Sequence, residues 1–321
     1  MTTSSAPGKI ILFGEHAVVY GRPAIAVPVT QVHADVQVHD SDRAGIWIHA
    51  PGIDLHAELN SLPSNHPIAA VIHKFFPHPN PSPSGRGARG EGTPPLDINI
   101  TSSIPVASGL GSGAAVSVAL MRALASHLSQ PMTDEEVNAF AYEIEKIHHG
   151  TPSGIDNTVV TYAMPVYFTK GKPIETFNVG RPFTIVIGDT GIPAPTKQAV
   201  GDVRHLWIHN KSHWETVFDR IGILSFTARR AIEAGRWELI GELMDENHAF
   251  LQEMKVSSPE LDKLVGAARE AGALGAKMSG GGRGGNMIAL VNAEATEAVQ
   301  RSMQEAGAKN VIVTQVGQLI L

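Results

Sequence analysis

Pro105-Val-Ala-Ser-Gly-Leu-Gly-Ser-Gly-Ala-Ala115 sets three glycines at alternate positions and runs straight into the Ala/Val/Leu/Met pattern of Val116 to Leu128. The stretch reads as a phosphate loop that opens a helix. Gly109, Gly111 and Gly113 carry no Cβ, so the backbone can take positive φ and lie against a ligand, while the first N–H groups of the helix lack intrahelical acceptors. Those donors and the positive helix end favour an anion. On its own the stretch is equally a glycine-rich turn before a packing helix, because short glycine patterns recur by accident. The rest of the chain decides between the two.

A chain of 321 residues is long for one core and predicts two domains. Its 43% apolar and 17% charged residues describe an ordinary globular protein, and the net charge of −6 argues against a nucleic-acid partner, which calls for a basic face. With no cysteine there is no disulfide, thiolate zinc site or thiol nucleophile. The opening Met-Thr-Thr-Ser-Ser-Ala-Pro has no basic, apolar leader pattern, and no 18-residue apolar run occurs, so a soluble cytoplasmic protein without a membrane segment is expected.

Working outward, Ile10 to Phe13, Ala24 to Val29, the alternation from Gln31 to Val38, and Ile46 to Ile48 read as strands of an N-terminal sheet. A proline- and glycine-rich insertion, about 78–94, has almost no apolar side chain and reads as a mobile surface loop before the strand Leu96 to Ile100. Thr133 and Glu136 have capping-box spacing at the head of a helix reaching His148. Its stripe of Val137, Phe140, Ala141 and Ile144 puts Glu145 on the flank, half buried, and turns Lys146 away. A turn-rich Gly150-Thr-Pro-Ser-Gly-Ile-Asp-Asn157 leads into a strand-like run, Val159 to Phe168, with a domain boundary near 175. Beyond it come a strand Phe183 to Gly188, a loop holding Thr190, Thr196 and Lys197, and helical patterns from about Gln198 to Gly272. A second glycine-rich stretch, Lys277 to Gly285, follows, then strands Asn286 to Val291, Val311 to Thr314 and Gln318 to Leu321, with a helix Glu294 to Ala306 among them. The whole is α+β, with domains 1–175 and 176–321.

Two glycine-rich stretches in different halves suggest a polyphosphate, although neither has the Walker spacing or the dinucleotide-binding context. A nucleotide polyphosphate needs a hard cation, for which magnesium takes one or two protein oxygens; Ser112 and Glu145 are the candidates, against an N-cap and a surface ion pair. Lys9, after Pro-Gly and before a buried strand, has little structural purpose there. Asp156 lies in a Ser-Gly-x-Asp turn that is equally an Asx-turn. Were the two to meet, the lysine would keep the aspartate ionised and assist deprotonation of a substrate hydroxyl during phosphoryl transfer. The 15 histidines have no metal-site spacing, and His16 stands out only because Gly14-Glu-His16 lies in the first motif.

Three blocks together resemble the GHMP kinase superfamily: Ala6 to Ala24, Pro105 to Ala115, and Lys277 to Asn286. Glu145 to Asn157 is similar to the family's metal-carboxylate and catalytic-aspartate segment, and Asp189-Thr-x5-Thr-Lys197 to that of its mevalonate-phosphorylating branch. The resemblance implies a two-domain fold, with an N-terminal ribosomal-protein-S5-like domain, a C-terminal ferredoxin-like α/β domain and a site in the cleft between them. It implies ATP and Mg2+, with Pro105, Ala107, Ser108, Gly109, Leu110, Gly111, Ser112, Gly113 and Ala114 at the nucleotide and Ser112 and Glu145 at the metal. Asp156 and Lys9 would act on the accepting hydroxyl. Glu15, His16, Thr190 and Lys197 would line the acceptor pocket, the lysine facing the carboxylate of mevalonate, and a homodimer is what many members suggest. The implied activity makes 5-phosphomevalonate for isoprenoid precursors. The alternatives are another small acceptor (phosphomevalonate, a sugar or homoserine) and a catalytically silent nucleotide-binding regulator, which the retained Lys9, Glu145 and Asp156 disfavour. Two departures stand in the motifs. Ser112-Gly113 replaces a pair of serines common in the family, and Gly-Gly-Gly-Arg-Gly-Gly-Asn286 replaces Gly-Ala-Gly-Gly-Gly-Cys, placing Arg283 where a guanidinium near phosphates would be tolerable.

Overall fold

The computed structural model describes residues 1–76, 94–105, 108–149 and 153–317, without the side chains of His148 and His149. The proline/glycine-rich insertion and the final strand expected over Gln318 to Leu321 lie outside the described residues. In chain order the elements are β1 (Thr2–Phe13), β2 (Ala24–Asp40), β3 (Ile46–Ala50), β4 (Leu55–Glu58), α1 (Pro67–Phe75), β5 (Leu96–Ser102), α2 (Ser112–His127), α3 (Asp134–His149) and α4 (Ile155–Tyr162). They continue with β6 (Val166–Phe168), β7 (Glu175–Thr176), β8 (Phe183–Asp189), α5 (Thr196–His209), α6 (Lys211–Glu233), α7 (Trp237–Glu253), α8 (Pro259–Glu270), β9 (Gly275–Ser279), β10 (Asn286–Val291), α9 (Thr296–Glu305) and β11 (Asn310–Val316). Contacts divide the chain into two compact units that interleave along the sequence. One holds Met1–Pro7, Val32–Ile104 and Ser112–Tyr162; the other holds Gly8–Gln31, Pro105–Gly111 and Ala163–Leu321.

In the first unit, β5 lies between β3, with which it is parallel, and the second part of β2, with which it is antiparallel, pairing Ala34 with Ser102 through Asp40 with Leu96. Val32, Ala34, Val36 and Val38 are buried at alternate positions, the period of a strand with one covered face. The helices of this unit pack on α2, whose Val118, Leu120, Met121 and Leu124 are fully buried. Each such side chain contributes about 1.5–3 kcal/mol relative to exposure. The capping box at the head of α3 is formed: the Glu136 amide donates to Thr133 Oγ1 at 3.2 Å and the Thr133 amide donates to Glu136 Oε2 at 2.8 Å.

One strand expectation is corrected here. Val159 to Phe168 is not a single strand; α4 runs through Tyr162, Ala163 takes φ 50°, and only Val166–Phe168 is extended. The β-branched residues favour a strand by local preference, but tertiary packing overrides it. Val159, Val160, Thr158 and Thr161 are all buried, the Thr158 hydroxyl donates back to Gly154 O at 2.7 Å, and Asn157 Nδ2 donates to Asn138 Oδ1 at 2.6 Å. The short helix α1 carries no strong pattern and was not foreseen.

In the second unit, β8 to β11 form an antiparallel sheet in the order β11-β8-β10-β9. Numbered by appearance within the sheet this is 4-1-3-2, the ferredoxin-like arrangement. Helices α7 and α8 pack against β9 and β10, and α9 against β8 and β11. All six residues of β10 and all five of β9 are buried, so Lys277 in the middle of β9 is enclosed. At the head of α8, Ser258 accepts from the Leu261 amide at 3.3 Å and Pro259 occupies the first turn, while Gly272 beyond its end has φ 97°.

Candidate active site

Within the second unit the loop after β1 is organised by buried charge. Gly14 has φ 92°, and a Cβ there would lie 2.5 Å from the backbone of Pro23 and Ala24, so only glycine admits the turn. The turn delivers Glu15 and His16 inward. Glu15 Oε1 accepts from Lys277 Nζ with side chains 1% and 0% exposed, and the same ammonium donates to Met278 O at 2.8 Å. Burial raises the Glu15 carboxyl above its ordinary range and lowers the Lys277 ammonium, in each case against the pull of the partner. His16 sits at φ 60° with Nε2 3.0 Å from Gly281 O. Burial drives its pKa down to about 4, with the Gly281 carbonyl acting the other way and Arg283 adding to the depression. The Ser279 hydroxyl donates to Ile11 O at 2.7 Å, so β9 and β1 are joined at this level.

The phosphate loop meets the same framework. The Lys9 amide donates to Leu110 O at 2.9 Å, and a Cβ at Gly111 (φ 76°) would fall 2.8 Å from Lys9 Cγ, so the glycine lets the lysine stem lie across the loop. Gly109 has φ 79° with open space where its Cβ would be. Ser108 donates through its hydroxyl to Pro105 O at 2.8 Å, and its own carbonyl accepts from the buried Asn286 Nδ2 at 2.5 Å. Gly113 is not at positive φ; it is already helical, in the first turn of α2 with Ser112 and Ala114. Ala107 lies outside the described residues.

The third glycine motif, in the block Lys277 to Asn286, lies alongside the segment from Thr190 to Lys197. Thr190 donates through both its amide and its hydroxyl to Gly285 O, each at 2.9 Å, and the Gly285 amide donates to Ile192 O at 2.7 Å. A Cβ on Gly281 would stand 2.4 Å from Thr196 Oγ1, and one on Gly284 2.5 Å from Ile192 O. Glycine is required because the Thr196 side chain lies against the backbone at Gly281 and the Ile192 backbone against that of Gly284. Thr196 and Lys197 are not loop residues, as their sequence suggests, but the first turn of α5, and Lys197 is exposed. Arg283, at φ 59°, donates through Nε to Lys255 O at 3.2 Å and pairs through Nη1 with Asp202.

The second unit thus gathers Lys9, the turn Ser108 to Gly111, Glu15, His16, Thr190, Thr196 and the third motif. Ser112, Glu145 and Asp156 belong to the first unit. Glu145 is 4% exposed on α3, more enclosed than its flank position implies, and α3 packs against α2, which begins at Ser112. Asp156 is half-buried in the first turn of α4. Among the described residues no group of three or more His, Cys, Asp or Glu could hold a metal. Sequence reasoning missed Lys277, Asn286 and Asp202. Lys277 had a legible signal, a lysine inside the apolar strand pattern Gly-Ala-Lys-Met-Ser, because such a lysine is almost never enclosed without a partner. The other two had none.

The fold and its glycine-rich turns are those of a small-molecule kinase. The models of the GHMP kinases N terminal domain and the GHMP kinases C terminal domain match residues 83–164 and 228–309. A mevalonate kinase of Pyrococcus abyssi is 34% identical over 97% of this chain and 95% of its own length, and one of Thermococcus gammatolerans is 35% identical over 92% and 90%. The crystal structure of L. major mevalonate kinase in complex with R-mevalonate superposes with a TM-score of 0.84 at 27% identity, covering 98% of this chain and 96% of that one. The chain belongs to the GHMP kinase family and, within it, to the mevalonate kinases. It is an α+β kinase of the two-domain GHMP fold with ATP as phosphoryl donor.

Proposed function

We propose that the protein transfers the γ-phosphoryl group of ATP to the primary hydroxyl of mevalonate, giving 5-phosphomevalonate and ADP for isoprenoid precursors. The observation that carries this reading is the assembly, in one unit, of Lys9 on the phosphate loop with the acceptor segment Thr190 to Lys197 on the third glycine motif. The open space beside Gly109, and beside Gly280 at φ 85°, fits a polyphosphate lying against bare backbone. Pro105 and Ala107 to Ala114 hold the nucleotide phosphates, aided by the free amides of the first turn of α2.

Phosphoryl transfer is chiefly positioning and charge stabilisation. Asp156 takes the proton of the accepting hydroxyl as its oxygen bonds to the γ-phosphorus and the bond to the β-phosphate oxygen breaks. Lys9 offers its ammonium to charge on the reacting oxygens. Lys197 pairs with the mevalonate carboxylate, Thr190 and His16 border the acceptor, and Glu15 acts from behind through Lys277. The Ser112 hydroxyl and the enclosed Glu145 carboxylate are hard oxygen donors of the kind magnesium takes alongside phosphates. When bound, Mg2+ supplies neutralisation of the phosphate charge. Family domains dividing near residue 175, a cytoplasmic setting and a homodimer belong to the same proposal. The dimer is supported by Ile223 and Phe226, one turn apart on α6 and 64% and 53% exposed; light scattering of the purified chain reads it.

The test is coupled ADP release with mevalonate, phosphomevalonate, galactose and homoserine. Mevalonate turns over well above the ATP-only background, and its failure to do so overturns the assignment. Asp156→Asn keeps ATP affinity by equilibrium titration and loses about 10²–10⁴ in turnover; unchanged turnover removes its role as base.

A further inference from the structure

Helix α5 carries the acceptor lysine yet is thinly anchored. Of its fourteen residues only Ala199 and Val203 are buried, and Pro195 at its N-cap contributes no side-chain capping bond. Lys197 is exposed, so its ammonium is placed no more firmly than the turn beneath it. The third glycine motif grips this helix at two points. Gly281 lies directly beneath Thr196, and Arg283 reaches Asp202, six residues further on and about 9 Å along the axis.

Arg283 itself is held from three sides. Its amide donates to Val256 O at 2.7 Å, its Nε to Lys255 O at 3.2 Å, and its Nη1 to the Asp202 carboxylate. The φ of 59° is one at which a residue with a Cβ is strained. A glycine would satisfy the backbone alone. The guanidinium therefore does what the backbone does not require: it bridges the Lys255 carbonyl, two residues past the end of α7, to a carboxylate on α5. Trp207 ties the far end of α5 through its bond to Glu215 and its ring contact with Tyr20; at the near end the contact at Thr196 alone leaves the first turns loose, and the Arg283 contact, more than a turn further on, fixes them.

We propose that Arg283 and Asp202 form a latch that positions the first turn of α5, and with it Lys197, for the carboxylate of the acceptor. Arg283 is a positioning residue and touches neither substrate. The proposal rests on the mevalonate reading for the identity of the acceptor, but not for the existence of the latch.

The experiment compares the full-length wild type with Arg283→Gly, which the backbone accepts, Arg283→Lys and Asp202→Asn. Each is examined by steady-state kinetics and by hydrogen exchange of the amides of 196–204. Arg283→Gly and Asp202→Asn raise KM for mevalonate about threefold to tenfold, the range open to one partly exposed, geometrically constrained pair. They leave kcat within about twofold and KM for ATP unchanged, and Arg283→Lys falls between. Salt raises KM in every form by screening the attraction between Lys197 and the acceptor carboxylate, but most steeply in the wild type, because only the wild type also has the Arg283–Asp202 pair to screen. Amides of 196–204 exchange faster in both variants, while those of α6 do not. Unchanged exchange overturns the latch. Faster exchange with unchanged KM overturns its positioning role. If the wild type fails to turn over mevalonate, the functional reading falls, and the exchange data still decide the latch.

Discussion

Replacing Lys277 by methionine removes the ammonium facing Glu15 where both side chains are almost completely enclosed, 0% and 1% exposed. Taking away one partner of a buried pair costs about 3–5 kcal/mol, because the remaining charge has neither solvent nor counter-ion. For a unit of this size each kcal/mol lowers the melting temperature by about 2–4 °C, so Lys277→Met melts about 6–20 °C below the wild type. The pair is costly to keep, since burial outweighs mutual attraction for both groups. The double variant Glu15→Gln/Lys277→Met, with no charge to bury, therefore recovers most of the loss. The pH dependence carries a sign. A carboxyl whose folded pKa is raised binds its proton more tightly when folded, so its stability contribution is present at low pH and lost as pH rises through the folded pKa. Without Lys277 the Glu15 pKa rises further. The deficit relative to wild type shrinks as pH falls from neutral into the mildly acidic range and is flat in the double variant. Thermal melts followed by circular dichroism across that range measure it. A Lys277→Met protein melting within about 2 °C of the wild type, or a deficit that grows as pH falls, refutes the reasoning.

His16 behaves oppositely: its pKa of about 4 when folded keeps it neutral while the unfolded chain protonates near 6.5, so stability is lost as pH falls between those values. His16→Gln keeps a donor for Gly281 O and flattens that slope by up to about 1.4 kcal/mol per pH unit, read by urea unfolding at several pH values. Asn286→Ala leaves the Ser108 carbonyl without its side-chain donor, lowers stability by about 1–3 kcal/mol and raises KM for ATP. Thr133→Ala opens the capping box of α3 and costs about 1 kcal/mol by urea unfolding, with kinetic constants unchanged.

Where periodicity and end signals agreed, the fold could be read from the chain alone. The apolar run of β10 and the alternation in β2 are local signals, and each element stands where they put it. Failure came where tertiary packing outvoted local preference. The β-branched α4 is helical because Asn157 and Thr158 find buried positions and hydrogen-bond partners, and Thr161 a buried position, information that no window of sequence contains. The site divides in the same way. The glycines announce close backbone approach, but not what approaches: Lys9 at Gly111, Thr196 at Gly281, Ile192 at Gly284. Arg283 invited a phosphate reading, whereas its partner is a carboxylate on α5.

The bond between Glu15 and Lys277 closes a separation of 262 residues. Contacts of such length are slow to form, because loop closure must be completed before they stabilise anything. During synthesis the Gly14-Glu-His16 turn emerges long before β9 exists to neutralise it, and its carboxylate stays in water until the last sixth of the chain arrives. The second unit, which includes Gly8–Gln31, is thus completed from its far end. A ribosome stalled before Lys277 holds a chain whose Gly14-Glu-His16 turn is still unfolded, and C-terminal truncations that remove Lys277 abolish a motif that lies near residue 15.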